Sequence, residues 1–318
     1  MTNKYKVSKL KDLKNWENFE KNSPQSSIFS SIEAIEHFEK NLDLYSIYKG
    51  EELKALVYIY LNRKRVVPEP LIYSGILFYP KNNQKECRYL AEKFSITEET
   101  INKIFINYEE IELNLHYSVE DLRPFQWFNY HETNKPKYTT DIRYTSLINL
   151  IDKKKDEIFA NLDDVKQRDI KKCESNSKYS FNYDNNLSLM KKFYVDTMKK
   201  NNGEFSNSEL EKMLNFMDKL IKKNKAFQTN ILLNNKIIYS TFLSLHNKTA
   251  CYLYGAGDVE TKERLAGTYC LWKSLEKCID ENVNCLDLEG INSPRRGSFK
   301  LSFGGKIKNY FTLKFQNS

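Results

Sequence analysis

Apolar positions in this chain recur with two periods that alternate along its length. Residues 27–40 (SIFSSIEAIEHFEK) have a serine-rich entry and then Ile32, Ile35 and Phe38 at helical spacing, which predicts a capped helix. Residues 42–48 and 53–61 are β-rich runs split by Lys49-Gly50-Glu51-Glu52, the pattern of a hairpin. Pro68 and Pro70 break the chain before a third strand at 71–79. Helices are predicted at 82–94 and 97–104, and 105–115 alternates like a strand. Residues 123–137 (RPFQWFNYHETNKPK) contain two prolines and no period, and read as a connection between domains.

Beyond it come a short strand at 139–142, a helical stretch at 147–173 broken near Asn161-Leu162-Asp163, and a strand at 179–183. Two amphipathic helices, 187–200 and 206–223, each have a Ser or Asn near the start. Three β-rich runs, 227–233, 237–245 and 250–254, are separated by Asn234-Asn235 and Asn247-Lys248, which predicts an antiparallel meander. A loop at 255–263, a helix reaching Ile279, a strand at 283–288, the segment SPRRGSFKLSFGG (293–305) and an aromatic tail complete the chain. The order of elements is α+β, and LIYSGILFY (71–79) weakly echoes CYLYGAG (251–257). It predicts two α+β domains, 1–137 and 138–318.

Length and composition agree. A chain of 318 residues suits two domains and can bury cores without disulfides or a metal. With 40% hydrophobic and 29% charged residues, wholesale disorder is excluded. Charge is divided unevenly: residues 1–150 carry 21 basic and 21 acidic side chains, and residues 151–318 carry 29 and 21. The second half is therefore the expected meeting place for an anionic partner, the alternative being a solvated Lys-rich surface. Glycine is scarce, 10 in all, yet seven lie between Gly255 and Gly305, which suggests places where only glycine fits. Six cysteines form no C-x-x-C pair and the four histidines are scattered, so no metal-ligand spacing exists. The first 22 residues have no apolar core of a signal peptide, and 53–61 is too short to span a bilayer. Free thiols and no signal predict a cytoplasmic protein.

Candidate chemistry gathers in the second half. A strand running through a loop into a helix can present free backbone N–H groups to a phosphate. Here Gly255, Gly257, Lys262, Arg264 and Gly267 line that passage, although the spacing is neither a P-loop nor a dinucleotide fingerprint. An ordinary capped helix packing Leu271, Trp272 and Leu275 inward is the alternative. Asp287 and Glu289 share one face of the next strand, where a carboxylate can deprotonate an amine or simply end the strand in solvent. Arg295, Arg296 and Lys300 then surround small residues, as in a clamp for a phosphate-bearing substrate. Lys300, between Phe299 and Leu301, either snorkels or faces a negative charge. No nucleophile arrangement stands out; Cys251, Cys270 and Cys278 fall in apolar runs and read as core. Aromatic residues are scattered at core spacing, without an RNA-stacking signature.

Four segments, in order, resemble the FemAB-type branch of the GNAT-like N-acyltransferases. SIFSSIEAIEHF is similar to that family's opening helix, with Ile35 where Trp is expected. The 123–137 connection followed by YTTDI (138–142) resembles the entry to the family's second domain. The helix bearing Gln167, Arg168 and Cys173 is similar to its RR-I-kA helix, with Gln167 for the first Arg and Cys173 for Ala. YLYGAG, the Trp272 helix, CLDLEGI (285–291) and FKLSFGG (299–305) resemble its ending, the most specific part. The resemblance implies two GNAT-like domains, the first degenerate, and transfer of an acyl group to a primary amine. It implies acyl-CoA or aminoacyl-tRNA as co-substrate, with no tightly bound cofactor and no DNA partner. The implied acceptor is a small-molecule, lipid-linked or nucleotide-linked precursor of a cell-wall or surface glycan. In family terms the motif lysine maps onto Lys300, the adjacent aromatic onto Phe299, the acidic strand residue onto Asp287 and the helix arginine onto Arg168.

The expected mechanism is direct attack by the amine, deprotonated by Asp287, Glu289 or water, with Lys300 stabilising negative charge. Alternatives are an aminoacyltransferase that uses tRNA and acts specifically on peptidoglycan precursors, and a non-catalytic duplicate that only binds. The long coiled-coil insertion of the larger aminoacyl-transfer members is missing from this sequence.

Overall fold

The computed structural model describes residues 4–10, 12–61, 71–261 and 263–317. They fall into two units: one takes residues up to 61, 71–143 and 309–317, and the other takes 144–308. The sequence reading keeps 138–318 in one domain, whereas 309–317 return to the first unit. The physical reason is strand pairing: residues 311–316 of the last strand pair with residues 110–115.

In chain order, the first unit begins with β1 (Lys6–Lys9), α1 (Trp16–Asn22) and α2 (Ile32–Phe38). It continues with β2 (Leu42–Lys49), β3 (Glu52–Tyr60), β4 (Gly75–Phe78), α3 (Glu86–Lys103), β5 (Glu110–Leu115) and α4 (Arg123–Trp127). β1 to β4 form an antiparallel sheet in sequence order, with Val7 opposite Ile47 and Val57 opposite Ile76. The β2–β3 hairpin turns at Gly50 with φ +61°, so the expected turn is where the glycine permits it. α3 is a single helix where two are expected, because Ser95-Ile96 offers no breaker and Ile96 is fully buried. Residues 123–127, expected as irregular linker, form α4 with Pro124 at its start, where a missing N–H costs nothing.

The serine-rich entry has a local purpose. Ser31 caps α2 by accepting the Ala34 N–H. Ser26 and Ser30 donate to the fully buried Glu20 carboxylate at 2.8 Å each. Trp16 donates to the Ser30 carbonyl at 2.8 Å. These contacts satisfy polar groups that would otherwise destabilise the interior.

β6 (Thr139–Asn149) leads into the second unit. There follow α5 (Lys155–Ala160), α6 (Asp164–Glu174), β7 (Tyr179–Asn182), α7 (Leu187–Lys200), α8 (Asn207–Lys222), β8 (Ala226–Leu233), β9 (Lys236–His246) and β10 (Thr249–Gly257). α9 (Ala266–Asp280), β11 (Cys285–Asp287), α10 (Pro294–Leu301) and β12 (Lys306–Gln316) complete the chain. The strand order is β6-β11-β10-β9-β8-β7, and of these pairs β10–β11 is parallel. The meander turns fall at Asn234-Asn235 and Asn247-Lys248, all four with positive φ. That left-handed pair matches the twist of a two-residue hairpin, and Asn tolerates it well. α9 buries Leu271, Trp272 and Leu275, as its spacing predicts. Residues 147–149, expected as helix, end β6 instead and pair with β11. The segment read as a phosphate clamp lies on helix α10, with Ser293 before it and Pro294 in its first turn.

Candidate active site

β10 and β11 pair over only three residues, ending with Cys251 opposite Asp287. β11 stops there while β10 runs on to Gly257. Pairing between them therefore lapses at the carboxyl ends of parallel strands, a position where α/β sheets commonly admit ligands. A bulge with Leu253 as the extra residue re-aims β10 at the same level.

Glu289 and Lys300 meet at this opening. The Lys300 Nζ donates to the Glu289 carbonyl at 3.0 Å and the Gly290 carbonyl at 3.4 Å. It lies 3.6 Å from Glu289 Oε2 and 5.0 Å from the centre of the Tyr252 ring. Its side chain is 9% exposed and that of Glu289 is 22% exposed, so the carboxylate is the more reachable partner. Glu289 has φ +51°, a left-handed backbone that a residue with a Cβ adopts at a cost. Asp287 holds that conformation by accepting the Glu289 N–H at 2.8 Å and the Thr145 hydroxyl. Burial raises the Glu289 carboxyl above its usual range; the Lys300 charge pulls it back in part, and Asp287 pushes it further up. Asp287 itself is 3% exposed and holds Thr145 and the turn, so it is the less reachable of the two carboxylates.

The clustered glycines do something other than expected. A Cβ at Gly257 would come within 2.5 Å of the Tyr239 ring, and one at Gly267 within 3.2 Å. At Gly255 it would overlap the Tyr252 hydroxyl. These three glycines make room for two tyrosines, which share a hydrogen bond and whose hydroxyls are pushed up by burial. Gly297 lets α10 sit against the Ile291 carbonyl, which a Cβ at that position would overlap, and Gly305 passes the Ser146 hydroxyl in the same way. Gly290 differs: a Cβ there would meet nothing closer than Asn292 at 3.6 Å, so its face stays open beside Lys300.

The start of α9 is also occupied. Glu263 accepts the Leu265 N–H at 2.9 Å, placing a carboxylate where a phosphate would be expected. Arg264 is exposed and lines a cavity of about 510 Å³ with Lys200, Tyr239, Gly257, Asp258 and Glu263. Lys262 lies outside the described residues. Arg168 is exposed and donates to the Asp164 carbonyl of its own helix, because its position turns it to solvent. The cation that reaches inward from α6 is Lys166, 3.2 Å from Thr268 Oγ1 and 4.8 Å from the Phe299 ring centre. Phe299 stacks edge-on against Phe303 beneath it. Arg295 and Arg296 are exposed on α10, with the Arg296 charge near Tyr194. Tyr194 packs against Tyr254, whose burial raises its hydroxyl.

Sequence reasoning missed Thr145, Lys166, Tyr252 and Tyr254. Strand and helix patterns give each of them as an ordinary position, and only tertiary contacts bring them to the neighbourhood of residues 287–300. The buried thiols of Cys251, Cys270 and Cys278 are all raised by desolvation, which suits core packing. Among the described residues no cluster of three His, Cys, Asp or Glu could hold a metal ion. No helix among them is long and apolar enough to cross a membrane.

The sequence matches no family model and no curated protein. The fold does match solved structures. FemX is similar with a TM-score of 0.65 at 10% identity, covering 96% of each chain. A tandem GNAT protein from the clavulanic acid biosynthesis pathway has a TM-score of 0.53 at 10% identity, covering 98% of each. A GNAT-family acetyltransferase from Colwellia psychrerythraea has a TM-score of 0.51 at 9% identity, covering 98% of this chain and all of the other. The chain thus has the two-domain GNAT-like fold that FemX and tandem GNAT proteins share, the α+β architecture the resemblance implies.

Proposed function

We propose that this protein is an N-acyltransferase that moves an acyl group onto a primary amine by direct attack. The single observation that carries the reading is the Glu289–Lys300 pair at the β10–β11 opening, with a reachable carboxyl raised above its usual range. A raised carboxylate is a stronger base, and perturbed groups of this kind cluster at working sites. The amine nitrogen attacks the acyl carbonyl carbon, forming the N–C bond as the ester or thioester bond to the donor breaks. The amine proton passes to Glu289, directly or through one water, and then to the departing oxygen or sulfur.

In this reading Glu289 is the base and Asp287 fixes its backbone. Lys300 holds the 289–290 turn, its three N–H donors facing two carbonyls and the Glu289 carboxylate. It acts first as a positioning residue, and binding an oxyanion directly would require it to exchange one of those partners. Phe299, covered by Lys166, supports α10. Arg295 and Arg296 remain available to an anionic substrate at the mouth.

Of the two donors, an aminoacyl-tRNA is favoured over CoA by the carboxylate of Glu263 at the start of α9, which would repel a pyrophosphate there. The acceptor class carried by the resemblance is an amine of a lipid-linked or nucleotide-linked cell-envelope glycan precursor, used in the cytoplasm. The test is a transfer assay with labelled aminoacyl-tRNA and with acyl-CoA, run beside a thermal-shift titration of both donors. Salt-sensitive transfer from tRNA, with no melting shift from millimolar CoA, is the expected result. Turnover with acyl-CoA alone would overturn the donor assignment, and full activity in Glu289→Gln would overturn the base.

A further inference from the structure

The first unit contains a cavity of about 500 Å³ that the acyl-transfer reading does not use. Lys49 and Lys54, at the turn end of the β2–β3 hairpin, form one wall. Arg88, Glu92 and Ser95 of α3 form another, spaced three and four residues apart so that they share a helix face. Lys4 and Gln84 close the rim.

The charges in this cavity do not balance. Glu92 is taken by Lys49 at 2.6 Å and by the Tyr79 hydroxyl, and Lys54 lies 3.8 Å away. Lys54, 8% exposed and 4.2 Å above the Tyr79 ring, has its closer partner in Glu52 at 2.7 Å. Two carboxylates therefore answer Lys49 and Lys54. Lys4 and Arg88 form no ion pair among the described residues. The surplus is two positive charges facing one concave space, in a half of the chain whose total charge is zero. Cations gathered against a low-dielectric wall focus their field on whatever enters.

We propose that this cavity is a binding site for a small dianion that carries a phosphate or pyrophosphate group. Two unanswered cations match a dianion. Arg88 offers the planar fork that phosphate oxygens accept in pairs, and the Lys49 and Lys54 ammoniums supply point charges. Gln84 and Ser95 add polar groups for oxygens beyond the phosphate. Ala91 is the apolar side chain of the lining, so lipid and aromatic ligands have little to bury here. The volume lies within the range of roughly 300–1,000 Å³ found for small-molecule sites.

The experiment titrates the full chain with sodium pyrophosphate, inorganic phosphate and glucose 6-phosphate at constant ionic strength, read by calorimetry and melting temperature. Saturable binding with a rise in melting temperature is expected. Arg88→Gln and Lys4→Gln change exposed side chains and should leave the free protein's melting temperature alone while weakening binding about tenfold each. A tighter constant for glucose 6-phosphate than for phosphate identifies a phosphate ester as the ligand, and equal constants identify the free anion. The proposal is overturned if sodium chloride of the same ionic strength reproduces the shift. It is equally overturned if both variants bind as the unmodified chain does, which would put the anion elsewhere. Neither outcome bears on acyl transfer, whose test rests on Glu289.

Discussion

Each unit buries a lysine over a tyrosine ring and beside a glutamate, and the two trios behave in opposite ways. In the first, Lys54 lies over Tyr79, and Glu92 accepts hydrogen bonds from Lys49 and Tyr79. Burial alone would raise the Glu92 carboxyl, but those donors and the neighbouring lysine charges outweigh it and leave it lowered. In the second, Lys300 lies over Tyr252, yet spends its best hydrogen bond on a backbone carbonyl and reaches the Glu289 carboxylate at 3.6 Å. Burial there wins, and the carboxyl is raised. The same residue types hold one carboxyl below its usual range and the other above it. The number and quality of donors to the carboxylate decides which.

The comparison is broken most directly by the paired variants Glu289→Gln and Glu92→Gln. The first should lower turnover about 10²–10⁴-fold in a transfer assay and leave melting unchanged or raised, since it removes a buried carboxylate held above its usual range. The second should leave turnover within a few-fold and cost about 1–3 kcal/mol in urea unfolding, since it removes a charge and turns an amide NH2 toward one of the two donors that Glu92 now accepts. If the two variants exchange these outcomes, the assignment of roles is wrong.

Glycine replacement separates packing from access. Gly297→Ala forces a Cβ against the Ile291 carbonyl and should cost about 1–3 kcal/mol. Gly290→Ala should cost at most a few tenths of a kcal/mol, because only ordinary contact awaits it, while reducing turnover if substrate crosses that face. A stability loss of equal size in both would mean that the Gly290 face is packed and not open.

Lys300→Met tests the sign of the coupling. Removing the positive charge takes away what pulls the Glu289 carboxyl down, so the acid limb of the pH–rate profile should move to higher pH. An unmoved limb would mean that Glu289 is not the titrating base.

The smallest effect is on stability against pH. Glu92, lowered in the folded state, contributes stability that is present above its ordinary value of 4.5 and lost as pH falls through the lowered value. Glu289, raised in the folded state, contributes in the other sense: its share is complete below 4.5 and lost as pH rises through the raised value. Urea midpoints across this range should lose part of their acid dependence in Glu92→Gln, the rest resting on other lowered carboxyls such as Asp43 and Asp258, and gain slightly above it in Glu289→Gln.

Much of this protein was legible in sequence because the forces concerned are local. The turns at Gly50, Asn234-Asn235 and Asn247-Lys248 depend on which residues tolerate a left-handed backbone. The inward faces of α8 and α9 follow from apolar spacing on a helix, and the break at 161–163 separates α5 from α6. The carboxylate and lysine of the candidate site were named from strand period and from a lysine among apolar neighbours. Tertiary structure alone decided the rest. Pairing of residues 110–115 with 311–316 joins segments about 200 residues apart, and no local pattern encodes a partner at that distance. The clustered glycines looked like a cradle for phosphate, yet three of them make room for the rings of Tyr239 on β9 and Tyr252 on β10 itself. Strand period makes Asp287 and Glu289 equivalent, whereas β11 stops at Asp287 and Glu289 lies beyond it with φ +51°. Burial and hydrogen bonding separate them too, since a carboxylate satisfied by Thr145 and a backbone N–H is held in place, while burial raises its neighbour beside Lys300 above the usual range.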